Sequence, residues 1–147
     1  MSVSGRLIPF ARHHAYQVAR DQGCDPDHAR TVACHYAGLA ARGRALTGWD
    51  LNRRRAVYCF GVVPEGDGVG GLWSHHLPRP FEGHSGLWVL RLGRRVLERW
   101  QRELGLTRLV ARLDPGAGRA ERLYMRGLGF VPDPGRPGTY LRLKGGD

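Results

Sequence analysis

The run Arg119-Ala120-Glu121-Arg122-Leu123-Tyr124-Met125-Arg126-Gly127-Leu128-Gly129-Phe130 decides the fold. It reads as a short helix that stops at Leu-Gly-Phe, because glycine just past the last helical turn is a common helix terminator. An apolar run, Leu109-Val110-Ala111-Arg112-Leu113, precedes it, and Thr139-Tyr140-Leu141-Arg142-Leu143 follows. Both runs are short and rich in strand-forming residues, so the last third of the chain is expected to be strand, helix, strand. Pro132 to Gly138, with three prolines, is expected to be a loop.

Working back from that unit, Gly86 to Leu104 is expected to be a long amphipathic helix closed by Gly105. Leu90, Gly93, Val96, Leu97, Trp100 and Leu104 share one face, and Arg91, Arg94, Arg95, Glu98 and Arg102 the other. Leu77 to Ser85 is an irregular loop. Before it, Ala56 to Val63 and Val69 to His76 read as strands, with Pro64-Glu65-Gly66-Asp67-Gly68 as the hairpin loop. Arg44 to Leu51 is another strand, with Asn52 to Arg55 as its turn. Ala11 to Gln22 is a helix ended by Gly23. Asp25-Pro26 opens a second helix, with Asp as N-cap and Pro in the first turn. Small residues on its stripe (Ala29, Val32, Ala33, Tyr36, Ala37 and Ala40) suggest close packing on a sheet. Gly5 to Phe10 is the first strand.

The chain has 147 residues, and 1–147 is expected to form a single domain with a core that needs no staples. Three cysteines, an odd number without a Cys-x-x-Cys pair, argue against a disulfide framework or a structural zinc site. No apolar run is long enough to span a bilayer, and Met1 to Phe10 lacks the apolar stretch of a signal peptide, so a non-secreted protein with no membrane partner is expected. The net charge is +10, and every basic residue but Lys144 is arginine. Such a balance favours phosphate-bearing or acidic partners.

The carboxy-terminal pattern Ala-x-x-Leu-Tyr-x-x-x-x-Gly-Phe, from Ala120 to Phe130, resembles the end of the GNAT (N-acetyltransferase) superfamily. The usual family spacing after the tyrosine is one residue shorter. The element order β-α-α-β-β-β-α-β-α-β is also that of the GNAT fold. The resemblance therefore implies an α/β fold with a mostly antiparallel, splayed sheet and helices on both faces.

In that family a glycine turn ahead of the central helix holds the cofactor's pyrophosphate, where glycine and helix N-terminal amides face the anion. Here the segment is Leu77 to Leu87, without the family's spacing. Gly83, Ser85 and Gly86 remain as amide donors, while Pro78 and Pro80 offer none and Glu82 opposes phosphate. Arg91-Leu92-Gly93-Arg94 is faintly similar to the turn but one residue short. Many relatives carry asparagine where this chain has Ala117. Tyr124 matches the tyrosine that acts in the family as general acid toward the departing thiolate. His75 and His76, at the end of the fourth strand, point to opposite faces, and either is a candidate base for an amine.

A second resemblance is to GNAT-fold proteins of tailed phages and prophages, including the internal virion protein family of short-tailed phages. It rests on Tyr58-Cys59-Phe60-Gly61-Val62-Val63-Pro64, on Gly70-Gly71-Leu72-Trp73 and on the arginine-rich central helix. It implies a virion-associated structural or interaction protein with a degenerate acetyl-CoA site. Such a protein would lie in host cytoplasm or virion, with other virion proteins as partners.

Among the remaining constellations, His13 and His14 are adjacent on a helix and point about 100° apart, which does not suit a shared metal ion. No metal is expected. Arg91, Arg94, Arg95 and Arg102 form a basic face that a nucleic acid could use. Three readings follow. The first is the phage-type protein with no working cofactor site. The second is an acetyl-CoA-dependent N-acetyltransferase acting on a small-molecule or protein amine. The third is a basic adaptor for nucleic acid.

Overall fold

The computed structural model describes residues 5–77 and 86–144. The elements are β1 (Gly5–Pro9), α1 (Arg12–Asp21), α2 (Pro26–Ala41), β2 (Arg44–Asp50), β3 (Arg55–Gly66), β4 (Val69–His76), α3 (Gly86–Leu104), β5 (Arg108–Arg112), α4 (Arg119–Gly127), β6 (Val131–Pro132) and β7 (Thr139–Leu143). The strands form one seven-stranded sheet in the order β1-β2-β3-β4-β5-β7-β6. The pairs β1–β2, β2–β3, β5–β7 and β6–β7 are antiparallel, and β4–β5 is parallel. This is the mixed, mostly antiparallel α/β architecture that the sequence implies.

By its contacts the chain divides into two compact units. One comprises Met1–Val63 and Trp73–Ser85, and the other Pro64–Leu72 and Gly86–Asp147. In the first, α1 carries Ala15, Val18 and Ala19 fully buried, and Val18 packs with Ala56 and Cys59 under Phe10, Trp49, Trp73 and Leu77. A bulge at Gly48/Trp49 leaves Val57 of β3 without an opposite residue, so Ala56 and Cys59 reach the same core cluster although three positions apart. Gln17 clamps the bulged strand: its amide donates to the Ala56 carbonyl at 2.9 Å and accepts from the Ala56 N–H at 2.8 Å. Asp21 holds Arg55 through two hydrogen bonds, of 2.9 and 2.6 Å. The stripe of α2 meets the expectation in part: Tyr36 lies against Trp73 and His75 of β4, while the helix as a whole packs most closely on α1, with Ala29 and Ala33 buried. Alanine on both helices lets their backbones approach closely.

In the second unit α3 buries Val96, Leu97, Trp100 and Gln101. A side chain at Gly93 would meet Leu128 at 2.7 Å, and one at Gly127 would meet Leu90 at 2.6 Å, so glycine on each helix sets how closely α3 and α4 pack. The Leu-Gly-Phe signature now has a mechanical cause. Phe130 N–H donates to the Met125 carbonyl and Gly129 N–H to the Arg126 carbonyl, both at 3.0 Å, with Gly129 at φ 94°. That is a Schellman stop, and it delivers Phe130 into the core at 1 % exposure. Burial of such a ring stabilises by about 2 kcal/mol.

Two expected loops are shorter than read. The strand β3 runs on through Pro64, Glu65 and Gly66, and the hairpin turns on Asp67-Gly68 alone. Both have positive φ (54° and 73°), the primed turn that Asp-Gly favours. Val131 and Pro132, ahead of the proline-rich loop, pair with Leu141 and Tyr140 as a two-residue edge strand, a position in a sheet that tolerates proline.

Candidate functional site

His75 and His76 end β4, and the pleat sends them to different surroundings. His75 is 7 % exposed, whereas His76 is exposed. The His75 ring stacks on Tyr36 of α2 with centroids 4.6 Å apart, and its Nε2 lies 3.2 Å from the Ala15 carbonyl, to which it donates. Burial holds its pKa below the ordinary histidine value, against the opposing pull of that hydrogen bond. The lone pair is therefore on Nδ1. Tyr36 also lies against Trp73, two residues earlier on β4, at 5.1 Å, and Phe10 meets Trp73 edge-on at 5.9 Å. The Trp73 Nε1 is buried with no hydrogen-bond partner among the described residues. His76 donates from Nδ1 to the Leu77 carbonyl at 2.9 Å, which leaves the Nε2 lone pair for a proton.

His14, read in the sequence only as half of an adjacent histidine pair, is a second buried imidazole in the same unit, at 6 % exposure. Its Nδ1 accepts from the Ala11 N–H at 3.0 Å and from the Thr47 hydroxyl at 2.9 Å. Thr47 in turn lies 3.7 Å from the Cys59 sulfur. Burial lowers the His14 pKa, reinforced by the neighbouring His13, and burial raises the Cys59 thiol to about 11. Cys59 is thus an inert core thiol. Among the described residues no cluster of three or more His, Cys, Asp or Glu side chains is placed to hold a metal ion.

Tyr124 and the head of α3 belong to the second unit. Tyr124 is half-buried on α4, the helix whose end carries the Schellman stop. The Ala117 position lies in a turn closed by its N–H on the Asp114 carbonyl at 2.8 Å, and the N-cap of α4, Gly118, offers no side-chain cap. Gly83 and Ser85, with Pro78, Pro80 and Glu82, lie outside the described residues. Gly86 is the first residue of α3. The first turn of that helix carries no acidic residue, and the opening amides of any α-helix lack intrahelical acceptors. This fits an anion such as a diphosphate. Gly93 lies inside α3 against Leu128, so the Arg91-Leu92-Gly93-Arg94 run is a packing element and not a phosphate turn. Packing also accounts for the motif that resembles phage proteins. Cys59 is core, and a side chain at Gly61 would strike Trp73 at 2.6 Å.

One buried charge near the candidate helix escaped the sequence reading. Arg142, on β7, is 6 % exposed. Its guanidinium donates to Gln101 Oε1, to Glu98 at 3.2 Å and to the Leu128 carbonyl at 2.9 Å. Burial lowers its pKa, opposed by Glu98. It ties β7 to α3 and to the end of α4, the helix of Tyr124. Strand alternation marks position 142 as facing one side of the sheet, but an arginine there reads as solvent-facing.

No protein-family model matches the chain, and no curated protein matches it in sequence. Among solved structures it is similar to a ribosomal-protein-S5-alanine acetyltransferase from Vibrio fischeri, at 8% identity and a TM-score of 0.68, covering 99% of this chain and 96% of that one. It is also similar to a GNAT-family acetyltransferase from Bacillus anthracis, at 11% identity and a TM-score of 0.64, covering 97% and 96%. The dodecameric spermidine N-acetyltransferase from Vibrio cholerae matches at 12% identity and a TM-score of 0.62, covering 96% and 94%. Nothing in these comparisons supports the link to phage virion proteins. The chain has the fold of the GNAT acetyltransferases over nearly its whole length.

Proposed function

We propose that the protein is an acetyl-CoA-dependent N-acetyltransferase acting on a small-molecule or protein amine. The observation that carries the reading is the end-to-end likeness of fold to acetyltransferases, with little of either chain left unmatched. Acetyl-CoA, when bound, supplies a thioester acyl group activated toward an amine nitrogen. The first-turn amides of α3, beginning at Gly86, would hold its diphosphate. His76 takes a proton from the amine at Nε2, the exposed lone pair left by its bond to Leu77. His75, buried and stacked on Tyr36, orients the end of β4 and takes no proton itself. Tyr124 would offer its Oη proton to the thiolate that leaves as the amine nitrogen takes over the acyl group.

Calorimetric titration with acetyl-coenzyme A tests the reading. Micromolar binding supports it. Absence of heat at millimolar cofactor sinks it and restores the degenerate-site alternative. Thiol release with a panel of amines then locates the chemistry. Tyr124→Phe is expected to lower turnover by roughly 10²- to 10⁴-fold, the range for losing a general acid, with cofactor affinity unchanged.

A further inference from the structure

Arg91, Arg95, Arg99 and Arg102 of α3 fall within about 80° of one another around the helix axis and span about 16 Å along it. All four are exposed, and Arg94 is exposed on their flank. The buried residues Val96, Leu97, Trp100 and Gln101 occupy the other side of the helix. The arginines thus form the outermost ridge of α3 and not a scatter of surface charge. Arg91–Arg95 and Arg95–Arg99 are like-charge pairs at i,i+4, an arrangement that weakens a helix. Glu98, the acid within the ridge, is engaged with Arg142 at 3.2 Å. Among the described residues no ion pair joins a ridge arginine to a carboxylate.

We propose that this ridge binds the phosphate backbone of duplex DNA without reading sequence. The occupant follows from charge and from what the ridge lacks. Four guanidinium groups in a row complement a polyanion that carries one charge per roughly 1.7 Å of axis. The one aromatic residue within the ridge's span, Trp100, is buried at 3 % exposure. The ridge therefore offers no stacking platform of the kind that single strands use, and a duplex is the better fit. Contacts confined to phosphates position a protein but do not specify a base sequence.

The test is fluorescence anisotropy with a labelled duplex and the full chain, read across a salt series. Four phosphate contacts predict that affinity falls roughly 150-fold between 50 and 200 mM salt, from a log–log slope of about −3.6. Changing Arg91, Arg95, Arg99 and Arg102 to Gln should abolish most of that binding. A control variant removes the same charge elsewhere, at the exposed Arg6, Arg12, Arg42 and Arg54, each to Gln; it should keep the steep salt dependence. Glutamine is a good helix former and relieves the like-charge pairs, so the ridge variant should fold, which circular dichroism checks. Equal loss in both variants would reduce the effect to net charge and overturn the proposal. So would a wild-type slope shallower than about −1, or displacement of the duplex by poly-glutamate as effectively as by unlabelled DNA, which would make the partner an acidic protein surface.

Discussion

In the first unit the buried polar groups around α1 are two imidazoles, His14 on Thr47 and His75 on the Ala15 carbonyl, while the buried Asp50 at the end of β2 is held locally by the Asn52 and Arg53 N–H groups. In the second they centre on a charge, Arg142, shared among Gln101, Glu98 and the Leu128 carbonyl. The same problem of satisfying polar atoms inside a core is met by two chemistries. Neutral imidazoles are vulnerable to protons. A guanidinium keeps its charge at any working pH but leaves several acceptors stranded if it is removed.

The sharpest way to break this contrast is Arg142→Ala. Gln101 and the Leu128 carbonyl lose their donor, at roughly 1–3 kcal/mol each, while Glu98 can rehydrate. A loss of about 3 kcal/mol in urea unfolding is expected; a loss below about 1 kcal/mol would mean that the buried guanidinium is not structural. In the first unit Gly61→Ala drives a methyl group into the Arg44 carbonyl and the Trp73 ring. Overpacking of that kind costs about 2 kcal/mol, again read from the unfolding midpoint.

Acid should separate the two chemistries. Folding lowers the pKa of both His14 and His75, so the unfolded chain binds more protons. Stability is fully present above the ordinary histidine pKa of about 6.5 and is lost as pH falls below it. The urea midpoint at pH 5 should therefore lie below that at pH 7.5, and His75→Phe should flatten the difference. An unchanged midpoint across that range would refute the neutral-imidazole account. The mildest test is thiol labelling. Cys34 is exposed and should react at once, whereas Cys59, fully buried with its thiol pushed up to about 11, should react only on unfolding.

Much of the fold was legible because the chain marks its own boundaries. Asp25 accepts from the His28 N–H at 2.8 Å, as its place before Pro26 implied. Gly23, Gly105 and Gly129 all sit at positive φ just past a helix. The candidate site was less legible. His75 and His76 were correctly sent to opposite faces by strand periodicity, but which one is buried depends on where Tyr36 and Ala15 come to rest. Arg142 was missed because composition places arginine outside, and only its partners on α3 and α4 make burial affordable.

Local rules in the sequence determined where helices stop, where strands alternate and which face of α3 is apolar, since each depends on a few neighbouring residues. The tertiary structure alone decided which polar groups are buried and with what charge state. A side chain's protonation and partners depend on residues distant in sequence, as Thr47 is from His14 and Glu98 from Arg142.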